Sequence, residues 1–225
     1  GDHRDLHKEY RRQRQMCIRD RGTLPIDSSV RSVIQSAAGV FSDLGAQVSQ
    51  DHPNLTGAME VFQTQRAAGL RTLGRSLDLA IPNWRDDAKD TAIWNIERGF
   101  ALTADELLHA EQLRTKIYAD TAAFFQHYDV LALPAAQVPP FAIEQAWVSE
   151  IDGINLETYI DWMAVCCMIT VTGLPTLSVP AGFTPAGLPI GVQLVGKPRG
   201  DLELLKIAHA FERSTQFYKQ RPSII

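Results

Sequence analysis

Only three cysteines occur in 225 residues, and two of them are adjacent, Cys166 and Cys167. Vicinal cysteines rarely bridge and an odd thiol remains, so no disulfide framework is expected and a reducing compartment, the cytoplasm, is the default. No run of even ten consecutive apolar residues occurs, which excludes a membrane-spanning helix. The opening residues are polar and densely charged, so they do not read as a secretory signal. Gly-x-Gly-x-x-Gly and Gly-x-Ser-x-Gly are both absent, removing the dinucleotide fingerprint and the nucleophile elbow. Gly191 to Lys197 imitates a phosphate loop, but Pro198 stands where a magnesium-binding Ser or Thr belongs and the residues between form an apolar strand. His52, His109, His127 and His209 have no close histidine or cysteine partner in sequence, and His3 and His7 lie in an atypical first segment, so no metal site is expected.

What is present is a globular balance: 45% hydrophobic and 21% charged residues, with 15 Gly and 12 Pro. The net charge of −4 hides an asymmetry, because residues 1–24 carry seven Lys/Arg against four Asp/Glu. That basic arm has a single aromatic, Tyr10, and its acids Asp2, Asp5, Glu9 and Asp20 repel phosphate, so no nucleic-acid partner is expected. Alternating charges bury little, and residues 1–22 are expected to be disordered or non-native. The run Met16–Arg21 resembles translated sequencing-adapter sequence, which places the meaningful domain at residues 23–225.

From Asp27 the apolar residues Val30, Val33, Ile34, Ala37, Phe41 and Leu44 recur at helical spacing, with Asp27 as N-cap and Gly45 just past the end. Ala46–Ser49 reads as a strand. Residues 54–81 carry Met59, Val61, Phe62, Ala67, Leu70, Leu73 and Leu77 with Pro82 as the stop, a helical pattern. Thr103-Ala104-Asp105-Glu106 is a capping box ahead of a helix running to about His127. Tyr128–Pro134 has the signature of a strand covered on both faces. Residues 137–157 read as a surface loop, 159–168 as helical, and Leu177–Phe183 with Leu188–Val195 as an antiparallel pair joined by a Pro- and Gly-bearing turn. Asp201 is expected to cap a last helix through Leu204, Leu205, Ile207, Ala208 and Phe211. Typing of residues finds no active site: Ser28 and Ser29 read as capping hydroxyls, Cys166 and Cys167 as small core hydrophobes, and Asp86-Asp87 or Glu150 with Asp152 as solvated carboxylates.

Asp161-Trp162-Met163, then Thr172-Gly173-Leu174-Pro175-Thr176-Leu177-Ser178-Val179-Pro180-Ala181-Gly182-Phe183, then Gly187 to Gly196, closely resemble the C-terminal part of the amidase signature family. Tyr128-Asp129-Val130-Leu131 with Pro134 resembles that family's preceding strand. The resemblance covers residues 24–225, strongest from 100 onward, and implies an α/β fold: a mixed β-sheet flanked by helices, present here as an incomplete C-terminal portion. It further implies a hydrolase that cleaves a linear amide to a carboxylate and ammonia or an amine through a Ser–cis-Ser–Lys triad, without a cofactor. The bridging serine relays a proton to a lysine that must be neutral, so the lysine has to be buried, while backbone donors hold the oxyanion.

Those triad residues lie upstream of Asp27 in the family, and no Gly-Ser-Ser-Gly-like segment occurs in this chain. No catalytic residue is therefore expected here. Trp162, Thr170, Thr172 and Gly173 are expected to form part of the substrate-pocket wall, with Thr170 standing where many relatives have Asn. The expected partner is a small-molecule amide in the full-length parent, with no membrane partner and with assembly as a homodimer left open. Two alternatives stand beside this reading: a non-catalytic pseudoenzyme or binding subunit, and part of an amidotransferase-type subunit that hydrolyses glutamine.

Overall fold

The computed structural model describes residues 15–18 and 24–220. Asp27 accepts a hydrogen bond from the Ser29 N–H at 2.8 Å and so starts helix α1 (Ser28–Asp43). Gly45, at φ +91°, closes it: its N–H reaches the Ser42 carbonyl and the Ala46 N–H reaches that of Phe41, the paired bonds that need a left-handed residue after the last turn. A short strand, β2 (Gln47–Ser49), follows, and an earlier strand, β1 (Gln15–Ile18), precedes the helix.

Four helices then run to the next strand, the first three being α2 (Ala58–Ala80), ended ahead of Pro82, the single turn α3 (Trp84–Asp87), and α4 (Asp90–Ala101). α5 (Ala104–Phe124) opens on the expected capping box, with the Glu106 carboxylate accepting from the Thr103 N–H at 2.8 Å. It ends three residues before His127, which closes a tighter final turn by bonding the Phe124 carbonyl. β3 (Val130–Pro134) follows, then a long loop holding the small hairpin β4 (Glu150–Ile151) and β5 (Ile154–Asn155). The stretch expected to be one helix from 159 to 168 is a 3-10 turn (Asp161–Met163) continued by α6 (Ala164–Thr170). The Asp161 carboxylate tightens the start of that turn by accepting from the Glu157 and Thr158 N–H groups.

The hairpin β6 (Thr176–Phe183) and β7 (Pro189–Gly196) is antiparallel, in register from Thr176 against Val195 to Phe183 against Pro189, with an irregularity between Pro180 and Gly182. The last helix, α7 (Asp201–Thr215), has Gly200 as its cap, so Asp201 occupies the first helical position and makes no capping bond. Its carboxylate still sits where the helix dipole favours an anion. Leu205 faces solvent, while Leu204, Ile207, Ala208 and Phe211 are buried.

The main sheet has the order β2-β1-β3-β7-β6, parallel from β2 to β3 and antiparallel beyond. β1 therefore stands in the sheet, in register with Val130–Ala132 on one side and Gln47–Ser49 on the other. Its backbone completes the hydrogen bonding of β2 and β3, which run parallel on either side of it. Residues 1–14 and 19–23, before and after β1, lie outside the described residues.

β3 shows why helices cover both faces. Val130 and Ala132 point into a cluster with α1 and α7, centred on Val30, Phe41, Leu194 and Phe211, while Leu131 and Leu133 point into a second cluster with α2, α5 and α6, including Val61, Ile117, Val165 and Ile169. Phe41 and Phe211 stack at 4.5 Å between centroids and lock α1 to α7. The fold is a three-layer α/β/α arrangement with a mixed sheet, in accord with the fold class expected.

Candidate functional site

β3 ends at Pro134, and the chain turns there because proline supplies no further ladder donor. The turn is fixed by Gln137, whose side chain is wholly buried. Its amide nitrogen donates to the Pro25 carbonyl at 2.9 Å and its amide oxygen accepts from the Val165 N–H at 3.0 Å. From β7, the buried Gln193 donates to the Pro134 carbonyl at 3.3 Å and to the Val165 carbonyl at 3.4 Å. Two glutamines thus bracket both backbone groups of Val165 and hold the start of α6 against the end of β3. Leaving either amide unpartnered in this interior would cost about 1–3 kcal/mol, so the arrangement is tightly specified.

Between the loop that Gln137 anchors, the 3-10 turn and the start of β7 lies a cavity of about 340 Å³. Its lining is Ala135, Ala136 and residues 138–141 of the loop, Trp162, and Pro189, Ile190 and Gly191. Phe141 and Trp162 meet edge to face, with centroids 5.4 Å apart and planes at 86°. Trp162 is half-buried, held by a segment whose position the two glutamines set.

Trp162 thus lines a cavity, whereas Thr170, Thr172 and Gly173 lie at the far end of α6, about 12 Å away by helical rise. Cys166 and Thr170, four residues apart, share the open side of α6, with Trp162 in the turn before the helix and Gly173 beyond its end; Ala164, Val165, Met168 and Ile169 fill the buried side. Thr170 is exposed and its hydroxyl donates to the Cys166 carbonyl at 3.0 Å. Thr172 turns inward instead: its hydroxyl donates to the Ile169 carbonyl at 2.7 Å and accepts from the Leu174 N–H at 3.3 Å. Gly173 sits at φ +66° with open space where a Cβ would be, so backbone conformation rather than room makes glycine the fit there.

Cys167 is buried in the core as a small hydrophobe, but Cys166 belongs to the open stripe, where its sulfur lies 3.0 Å from the Met163 carbonyl. A hydrogen bond from the Cys167 thiol lowers the Cys166 pKa to about 7, while that same bond and burial push the Cys167 thiol upward. Residue typing does not single out Gln137, Gln193 or Cys166. The signals that could have found the two glutamines are an amide inside an otherwise apolar strand and one just past a strand-ending proline.

The cavity offers apolar and aromatic surface on which a ligand can bind. Among the lysines from Lys89 onward, none is buried, and Lys116, Lys197 and Lys206 are ion-paired with Asp120, Asp129 and Glu203. A lysine base requires burial away from water, and none of these lysines has it. Among the described residues no group of three His, Cys, Asp or Glu is placed to hold a metal ion, and no helix is long and apolar enough to cross a membrane.

A family model for amidases matches residues 7–205. One of the subunits of the glutamyl-tRNA(Gln) amidotransferase of Lactiplantibacillus plantarum is 33% identical over 221 aligned residues, covering 88% of this chain and 44% of that protein. A protein described as a putative amidase in Synechocystis sp. is 28% identical over 191 residues, covering 84% of this chain and 35% of its own length. Among solved structures, a bacterial aryl acylamidase of the amidase signature family superposes with a TM-score of 0.79 at 23% identity, over 94% of this chain and 46% of that one. A 6-aminohexanoate cyclic dimer hydrolase gives 0.78 at 21% identity, over 94% and 47%. The chain spans less than half the length of these relatives. A family match across most of the chain, on the same layered sheet, makes this chain a member of the amidase signature family.

Proposed function

We propose that this chain is the pocket-wall portion of an amidohydrolase whose nucleophile, bridging serine and lysine lie in polypeptide that precedes it. The observation that carries this reading is the pairing of a rigid cavity at Trp162 with a set of lysines that are all exposed or ion-paired. In the complete enzyme, Trp162 and the loop after β3 hold the non-reacting part of a linear amide. The triad attacks the carbonyl, and an acyl-enzyme then releases a carboxylate after ammonia or an amine has left. Thr170 and Gly173, exposed at the end of α6 and just beyond it, extend that wall, and Thr172 supports it from inside. The substrate is a small molecule and the site of action is cytoplasmic.

A second reading has one observation in its favour, the 33% identity to part of a glutamyl-tRNA(Gln) amidotransferase, an enzyme named for transfer of an amide group. On that reading the amide donor would be glutamine and the chain one portion of a larger assembly.

The test is to extend the reading frame upstream of codon 23 in the source DNA, express the whole frame and assay release of ammonia or amine from a panel of amides. The expected result is a frame containing a lysine and a glycine-flanked serine pair, active as a whole, with the 225-residue chain inactive alone. A start codon directly before Gly22, or amide turnover by the purified 225-residue chain, overturns the proposal.

A further inference from the structure

Resting on that reading of the site, the cavity's chemistry narrows the substrate. Every side chain lining it is a hydrocarbon, a proline or an aromatic ring: small at Ala135 and Ala136, apolar at Val138, Pro140 and Ile190, aromatic at Phe141 and Trp162. No charged or amide side chain faces it among the described residues. The two nearby buried glutamines already have their amide nitrogens engaged, Gln137 with Pro25 and Gln193 with Pro134 and Val165. Part of the backbone is committed as well, the Ala135 N–H donating to the Gly191 carbonyl at 2.9 Å, and the polar groups that remain on the lining are uncharged. An amino-acid head group needs a cation for its carboxylate and an acceptor for its ammonium, and burying either charge without a partner is strongly unfavourable. An edge-to-face pair of rings instead offers a flat guest one face and one edge. The volume, about 340 Å³, lies at the small end of ligand pockets and suits a single ring or branched alkyl group.

We propose that this wall binds an uncharged aryl or branched-alkyl substituent of the amide, and that glutamine is not a ligand of the site. The experiment is saturation-transfer NMR on the 225-residue chain with phenylacetamide and, separately, L-glutamine. It is repeated for Phe141→Ala, a change on an exposed loop, and for Trp162→Ala, with circular dichroism confirming that each variant keeps the parent spectrum. Phenylacetamide is expected to give a transfer signal that falls at least fivefold in Phe141→Ala and Trp162→Ala, while glutamine gives none. A glutamine signal that disappears in those variants overturns the proposal, as does a phenylacetamide signal unchanged by both, or no phenylacetamide signal from the folded parent chain. Should Trp162→Ala not fold, Phe141→Ala alone decides. Binding is read without turnover, so failure of the completed frame to hydrolyse any amide counts against the hydrolase reading, whereas preference for glutamine counts against this inference alone.

Discussion

Cys166 and Cys167 are neighbours in sequence that end in different media, one on the open side of α6 and one in the core. Its neighbour's thiol lowers the Cys166 pKa, so Cys166 is the more readily ionised of the two. The thiolate is the nucleophile, so iodoacetamide is expected to label Cys166 well ahead of Cys167 in the folded chain. The rate should rise with pH and level off at a lower pH than for an unperturbed thiol, because the lowered pKa fills the thiolate form earlier. Peptide mass spectrometry after timed labelling checks this, and equal labelling of the two sulfurs would contradict the assignment. Sequence pattern puts both cysteines in the core because a seven-residue helix that continues a 3-10 turn has too few apolar repeats to fix its phase. The family resemblance groups Thr172 with Trp162, Thr170 and Gly173, although Thr172 turns inward. Trp162 itself is legible from its motif. Its supports are not, because nothing local shows that Gln137 and Gln193 converge on Val165 from 28 residues away on either side.

At the scale of elements, legibility follows the strength of local chemistry. The Asp27–Gly45 helix, the Thr103 capping box and the β6–β7 hairpin each carry their own start or stop signals and form as expected. α2 is legible as a helix, but its leucines point to the wrong side as the buried one. Leu70, Leu73 and Leu77 mark an outer or half-covered side, and the buried positions are Ala58, Val61, Thr64, Ala67 and Gly74. Small residues serve there because α2 and α4 approach closely: a Cβ on Gly99 would stand 2.2 Å from the Ala67 carbonyl oxygen.

Gly99→Ala is therefore expected to destabilise by about 1–3 kcal/mol, since a backbone atom cannot swing aside. Gly69→Ala, with nothing within 4 Å of the new methyl on the exposed side of α2, should instead stabilise by about 0.5–1 kcal/mol through helix propensity alone. Urea unfolding of the two variants tests the close approach directly, because identical effects would mean that the helices do not touch there. Thr103→Ala should cost about 1 kcal/mol by removing the cap of α5. Glu106, lowered from 4.5 to about 2 mainly by the Thr103 N–H and then by Arg98, gives support that is complete above pH 4.5 and is lost as the pH falls toward 2. Melting curves across that window should show a slope that Glu106→Gln flattens.

For the molecule as a whole, the question is what a chain under half the length of its relatives can hold together. β3, the strand with every residue buried, has a neighbour on each side and helices over both faces. The long edge is β6, and its exposed positions are Thr176, Ser178, Pro180 and Phe183, two of them polar and one a residue without an N–H. A proline and a register irregularity at Pro180/Gly182 are the devices that keep an edge from pairing with a second copy. One flank of β6 is hydrogen-bonded to β7, and no strand among the described residues lines the other. Amide hydrogen exchange should therefore order the long strands, with β3 and β7 slowest and β6 faster, because an edge strand opens without disturbing the rest of the sheet. If the complete enzyme adds a strand along this flank, β6 should slow to the rate of β3 in the extended frame while β3 itself is unchanged. Equal protection of β6 and β3 in the 225-residue chain would show that the flank is already covered, and the sheet would then have no place for more of the enzyme at that edge.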